Sequence, residues 1–191
     1  MAFLGMAECN AKGDVNVSKF KDRIAGCGGF INITQNTHKV VFCGTFTAKG
    51  LREEIRDGKL VITHEGAVQK FINKVGQITF SADYAHKHNQ QVMFITERCV
   101  FVLTDKGLVL TEIAPGVDLQ KDILDQMEFV PHIAEDLKTM DERIFRDEPM
   151  GLAQDILNSK QLGPLESHHC KLKKGLSHVR QPFLYELRDI I

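Results

Sequence analysis

The segment Lys39-Val40-Val41-Phe42-Cys43-Gly44-Thr45-Phe46 is a continuous apolar run rich in β-branched and aromatic side chains. That pattern suits a strand covered on both faces, as in a parallel sheet. Upstream, Asp14-Val15-Asn16-Val17-Ser18-Lys19-Phe20 alternates polar and apolar residues with period two, which predicts a half-buried strand. Asn10-Ala11-Lys12-Gly13-Asp14 before it predicts a turn. From residue 51 to about 111 the signals are mostly strands. Lys59-Leu60-Val61-Ile62-Thr63-His64 follows an Asp57-Gly58 turn, and Gln77-Ile78-Thr79-Phe80-Ser81 is short and alternating. Val92-Met93-Phe94-Ile95-Thr96-Glu97-Arg98 leads into Cys99-Val100-Phe101-Val102-Leu103-Thr104. Asp105-Lys106-Gly107 then turns the chain into a second strand, a predicted hairpin with glycine in its turn.

Helical spacing is rarer. Val68, Phe71, Ile72 and Val75 share a face over residues 66–75. Asp118 is a good N-cap for a helix whose side is lined by Leu119, Ile123, Leu124 and Met127. A second short helix is expected over residues 133–145. The pattern as a whole predicts an α/β domain over residues 1–149, with a mostly parallel sheet, β-hairpins and a few helices. Residues 150–191 differ in character and are expected to form a divergent tail, helical or poorly ordered.

Composition narrows the classes without naming one. A chain of 191 residues, 43% hydrophobic and 26% charged, suits one good-sized globular domain with an appendage. A formal net charge of -1 supplies no strong field for nucleic acid or an anionic membrane. Five cysteines with no CxxC pair (Cys9, Cys27, Cys43, Cys99 and Cys170) suit a reduced, intracellular protein. The apolar start of the chain lacks a basic leader and is interrupted by Glu8, so no signal peptide is expected. The longest uncharged run, residues 24–37, contains three glycines and is not a membrane span.

Two segments attract chemical interest. Gly26-Cys27-Gly28-Gly29 is the densest glycine cluster, and such main chain can lie directly against a ligand, its N–H groups meeting a phosphate or an oxyanion. A tight structural loop explains the same cluster, whose spacing matches neither the NTPase phosphate loop nor the dinucleotide fingerprint. Gly44-Thr45-Phe46-Thr47-Ala48-Lys49-Gly50 follows the apolar strand, where open parallel sheets gather ligands. Thr45 and Thr47 offer hydroxyls there, and Lys49 offers a cation or is a solvated loop lysine. His86-Lys87-His88 and His168-His169-Cys170 lack zinc-site spacing, so no metal is expected. Glu97-Arg98 within a strand pattern is read as a buried ion pair that supports structure, and Lys171-Leu172-Lys173-Lys174 as a solvated surface.

Longer motifs carry a family resemblance over about residues 3–150. Asn16-Val17-Ser18-Lys19-Phe20, Ile24-Ala25-Gly26-Cys27-Gly28-Gly29-Phe30-Ile31-Asn32-Ile33 and the strand with its following loop to Ala48 resemble the second half of family I CoA-transferases. So do Ile95-Thr96-Glu97-Arg98-Cys99-Val100-Phe101, Glu112-Ile113-Ala114-Pro115-Gly116-Val117-Asp118-Leu119 and Met140-Asp141-Glu142-Arg143-Ile144-Phe145. The chain is most similar to the short-chain acyl (acetate or propionate) branch, related to the 3-oxoacid transferases of ketone-body metabolism. The resemblance implies part of a NagB/RpiA/CoA-transferase-like domain. It also implies exchange of CoA between a short-chain acyl-CoA and a carboxylic acid through a glutamyl-CoA intermediate. No metal or redox cofactor is then needed, coenzyme A being a substrate.

The same resemblance implies that Gly26, Gly28 and Gly29 lie beside the thioester and the pantetheine arm, with Lys49 and Asn16 as further candidate contacts to CoA. It places the nucleophilic glutamate upstream of Met1, so no catalytic residue is expected in this chain, and Glu65-Gly66 falls in the wrong part of the pattern to replace it. A fragment of a transferase is expected, self-associating or pairing with a complementary half; the alternative is a non-catalytic remnant that binds CoA or a protein. The expected location is cytoplasmic, or the mitochondrial matrix in a eukaryote.

Overall fold

A computed structural model of the chain describes residues 1–161. Six strands form its central sheet: β1 (Ala2–Gly5), β2 (Lys39–Cys43), β3 (Gln91–Ile95), β4 (Cys99–Thr104), β5 (Gly107–Ile113) and β6 (His132–Thr139). They lie side by side in sequence order. β1, β2 and β3 are mutually parallel neighbours, β4 is antiparallel to both β3 and β5, and β6 runs parallel to β5. The apolar run at 39–46 becomes β2 for its first five residues, and Val40, Val41 and Phe42 on its two faces are all buried. Phe42 packs against Phe30, Phe80 and Phe94, with ring centroids 5.8, 5.0 and 5.1 Å away. Phe46, Phe71 and Phe101 form a neighbouring aromatic cluster. Each such ring contributes on the order of 2 kcal/mol of burial free energy.

The hairpin of β4 and β5 forms as predicted, with Gly107 at φ +90°. A side chain there would put its Cβ 2.4 Å from the carbonyl oxygen of Ala11, so only glycine fits. A separate antiparallel hairpin, Arg52–Arg56 with Lys59–His64, lies outside the central sheet. Helix α1 (Phe30–Gln35) connects toward β2, and α2 (Ala82–Lys87), capped by the Ser81 hydroxyl, leads toward β3. Asp118 caps a helical segment as predicted, but the segment is a π-turn (Leu119–Ile123) followed by a 3-10 turn (Leu124–Gln126).

Four predicted elements take other forms. Residues 66–75 are not a helix: Val68–Gln69 pairs with Thr47–Ala48, Cys9 donates its N–H to the carbonyl of Lys70, and Ile72 donates to that of Cys9. Pairing with two neighbours satisfies the main chain, whereas so short a helix is marginal without packing support. Residues 77–81 make no named strand, only an isolated bridge between Phe80 and Val15. Residues 133–145 are the edge strand β6 and a 3-10 turn (Glu142–Phe145) in place of one helix. The period-two segment at 14–20 breaks into two short strands, Val15–Asn16 and Lys19–Phe20.

The chain divides into two units, the first of residues 1–147 and the second beginning at Glu148. In the second, α3 (Leu152–Gln161) begins after Gly151, and Gln154 Nε2 donates to Asn158 Oδ1 at 2.9 Å. Cys170, His168, His169, Lys171 to Lys174 and the rest of the expected tail lie outside the described residues.

Candidate functional site

Register places Gly5, Cys43 and Ile95 abreast at the carboxyl ends of β1, β2 and β3. This end of a parallel sheet is where α/β folds collect ligands, because loops rather than strands close it. The stacking of Phe30 on Phe42, the penultimate residue of β2, brings the glycine cluster to the same end. Main-chain N–H groups of Ala25 and Gly26 donate to the carbonyl of Ser18 at 2.8 and 3.1 Å, and that of Phe30 to Cys27 at 3.0 Å. Among the described residues, no acceptor meets the N–H groups of Cys27, Gly28 or Gly29. Gly26 and Gly28 have φ of +79° and +52°, and a Cβ on either would meet nothing within 4 Å. The cluster is therefore an open loop whose donors are available, not a bend closed by packing.

The second loop, residues 44–49, leaves the end of β2. Lys49 is exposed at φ +62°, and its carbonyl accepts from the N–H of Ala67 at 3.0 Å. Thr45 is exposed, while Thr47 is buried with its hydroxyl on Glu65. Asn16 is fully buried, and its Nδ2 donates to Glu8 Oε2 and to the carbonyl of Lys19, both at 2.6 Å. Its Oδ1 accepts the N–H groups of Ser18 and Lys19, so the amide organises the turn that leads into the glycine loop.

Arg98 anchors the interior of this end. Fully buried, it donates Nε to Glu97 Oε1 at 2.9 Å, and Nη1 and Nη2 to the two oxygens of Glu65 at 2.7 and 2.8 Å. It also donates to the carbonyl of Asp122 at 2.8 Å and lies 5.1 Å from the centroid of the Phe46 ring. The expected Glu97–Arg98 pair is thus one side of a three-residue network. Burial raises the Glu65 carboxyl, but hydrogen bonds from Arg98, Thr47 and the Gly66 N–H outweigh it and hold the group below its ordinary value. A carboxylate so fully engaged is a poor nucleophile. Gly66 permits the arrangement, since a Cβ there would stand 2.6 Å from both the Ala48 carbonyl oxygen and Thr47 Oγ1.

Lys70 carries no signal in the sequence, where it stands between Gln69 and Phe71. It is buried, and its Nζ donates to the carbonyl of Thr45 at 2.7 Å. Burial lowers its affinity for the proton, and nearby Glu97 opposes that effect. Among the described residues no group of three or more His, Cys, Asp or Glu side chains is placed to hold a metal. His88 stacks on Tyr84 at 4.1 Å, and His86 lies 3.8 Å from Asp105. No helix of the described residues is long and apolar enough to cross a membrane.

Open main-chain donors thus lie at the carboxyl ends of parallel strands, near a buried ion-pair network, and over about four fifths of its length the chain is similar in sequence to CoA-transferases. It is 52% identical over 157 residues to the caffeate CoA-transferase of Acetobacterium woodii, covering 80% of this chain and 30% of that protein. With the acetate CoA-transferase YdiF of Escherichia coli K12 it shares 53% identity over 151 residues, 79% of this chain and 28% of the relative. A crystal structure of YdiF from Escherichia coli O157:H7, in thioester complex with CoA, superposes with a TM-score of 0.76 at 54% identity over 78% of this chain and 29% of that one. The chain thus spans about three tenths of the length of the curated relatives it matches. No family model matches it.

Proposed function

We propose that the chain supplies the CoA-facing part of a transferase that moves CoA between a short-chain acyl-CoA and a carboxylic acid. The observation that carries this reading is the open loop with the unpartnered N–H groups of Cys27, Gly28 and Gly29 at the carboxyl ends of β1 to β3. In this scheme a glutamate carboxylate attacks the acyl-CoA carbonyl, forming a mixed anhydride and expelling the CoA thiolate. The thiolate then attacks the glutamyl carbonyl, giving a glutamyl-CoA thioester and releasing the first acid as its carboxylate. An incoming carboxylate reverses both steps. Each attack passes through a tetrahedral oxyanion, which fixed main-chain donors stabilise without reorganising. Gly26 and Gly28 keep the approach free of side chains, and Lys49, exposed on the neighbouring loop, offers a cation to the phosphates of CoA or to the carboxylate of the acid substrate. Asn16 acts from behind, through the turn it organises.

The nucleophile in this reading comes from polypeptide outside the 191 residues, because Glu65 and Glu97 at this end of the sheet are both engaged by Arg98. A complementary transferase half is the partner, a cytoplasmic setting fits the substrates, and no metal or redox group takes part. Titration calorimetry of the chain with CoA tests the site: wild type should bind, and Gly28→Val, which blocks the open face, should bind at least about tenfold more weakly. Absence of heat with wild type refutes the reading. Turnover of acetyl-CoA with propionate by the purified chain alone would refute the external nucleophile while leaving the site intact.

A further inference from the structure

The peptide unit joining Thr45 to Phe46 is gripped at both poles of its dipole. Its carbonyl oxygen accepts from the Lys70 ammonium at 2.7 Å, and its N–H donates to Glu97 Oε2 at 2.8 Å. Glu97 is held in turn by Arg98, and Arg98 by Glu65, so the charges alternate along Lys70, Glu97, Arg98 and Glu65. Gly44 belongs to the same device: a Cβ there would stand 3.0 Å from Lys70 Nζ, so the ammonium occupies the space of the missing side chain. Lys70 is only 6% exposed, and a buried cation is costly compared with a packed apolar side chain of its size. Packing alone does not account for a lysine here. Orientation does, because Thr45, which it holds, is exposed at the end of β2. The N–H of Thr45 meets no acceptor among the described residues, whereas the N–H of Gly44 is taken by Ile95 at 3.2 Å.

We propose that Lys70 is a positioning residue which, with Glu97, locks the Thr45–Phe46 peptide, thereby restrains the backbone of Thr45, and so holds the N–H of the adjoining Gly44–Thr45 peptide as a donor to the carbonyl or carboxylate oxygen of the acyl group. This rests on the CoA-transferase reading above and adds to it a donor on the loop after β2, distinct from the glycine loop.

Lys70→Met tests it by keeping volume and removing the charge. Two measurements are made on the full chain. Amide hydrogen exchange followed by NMR should show the Phe46 N–H exchanging at least about tenfold faster, with amides of β4 and β5 unchanged. Calorimetry should show acetyl-CoA binding weakened about tenfold while free CoA, which lacks the acyl oxygen, binds as before. Gly44→Ala, which presses on the ammonium without removing it, should shift both readouts in the same direction. Unchanged Phe46 exchange overturns the locking role, and equal loss of affinity for acetyl-CoA and CoA overturns the acyl-donor role. A wild-type chain that binds neither ligand refutes the transferase reading and the donor with it, and the exchange result then still decides whether Lys70 fixes the peptide.

Discussion

Arg98→Met removes a guanidinium with no exposed surface and strips Glu65 and Glu97 of their common cation. Breaking a buried pair from one side costs about 3–5 kcal/mol, chiefly because the remaining charge stays desolvated. Here the two carboxylates differ. The Glu65 side chain is 32% exposed and can recover water, whereas that of Glu97 is 14% exposed and keeps only the N–H of Phe46 and the nearby Lys70 ammonium. Methionine also loses the bond to the Asp122 carbonyl but retains packing against Phe46. Rehydration of Glu65 places the cost near the lower bound, about 3 kcal/mol. For a chain of this size that lowers Tm by roughly 10 °C.

Urea unfolding at pH 7 should show the midpoint falling with the m-value unchanged. Because Glu65 is held below its ordinary value of 4.5, the stability it contributes is present above that pH and disappears as pH falls through the lower folded value. The gap between wild type and Arg98→Met should therefore narrow below about pH 4. A loss under about 1 kcal/mol, or a Glu65 carboxyl that titrates at its ordinary value in an NMR experiment, would refute the network as a source of stability.

Iodoacetamide labelling of the folded chain, read by mass spectrometry, should, among the described cysteines, modify exposed Cys43 and half-buried Cys27 and spare Cys9 and Cys99 until urea is added. Burial holds the thiols of Cys9 and Cys99 protonated, and it also raises that of Cys43, so Cys43 should react slowly for an exposed thiol. Gly107→Ala should cost at least about 2 kcal/mol in a urea titration, from a left-handed φ together with the collision with Ala11, and a variant as stable as wild type would contradict the hairpin geometry.

The elements legible in the sequence were those whose patterns are local. The run through Val40, Val41 and Phe42 announced a strand buried on both faces, and Asp105-Lys106-Gly107 announced the hairpin. Sequence motifs also singled out Gly26, Gly28 and Gly29, which the fold places as an open loop at the carboxyl ends of the parallel strands. The apolar spacing at 66–75 misled because its main chain is satisfied by Thr47–Ala48 and Cys9, residues far away in the chain. Helical spacing in an apolar stretch tells only that residues are buried, not which partner takes their hydrogen bonds.

By itself the sequence determined the class of fold, the family resemblance and the glycine-rich segment, because apolar periodicity, turn chemistry and motif identity need no knowledge of neighbours. Only the tertiary structure decided what Lys70, Glu65 and Asn16 do. Their roles depend on atoms 8 to 33 positions away in the chain, such as Glu8 for Asn16, Thr45 for Lys70 and Arg98 for Glu65. A charge is structural or functional according to the partner that folding brings within 3 Å, and that distance is set by packing rather than by order along the chain.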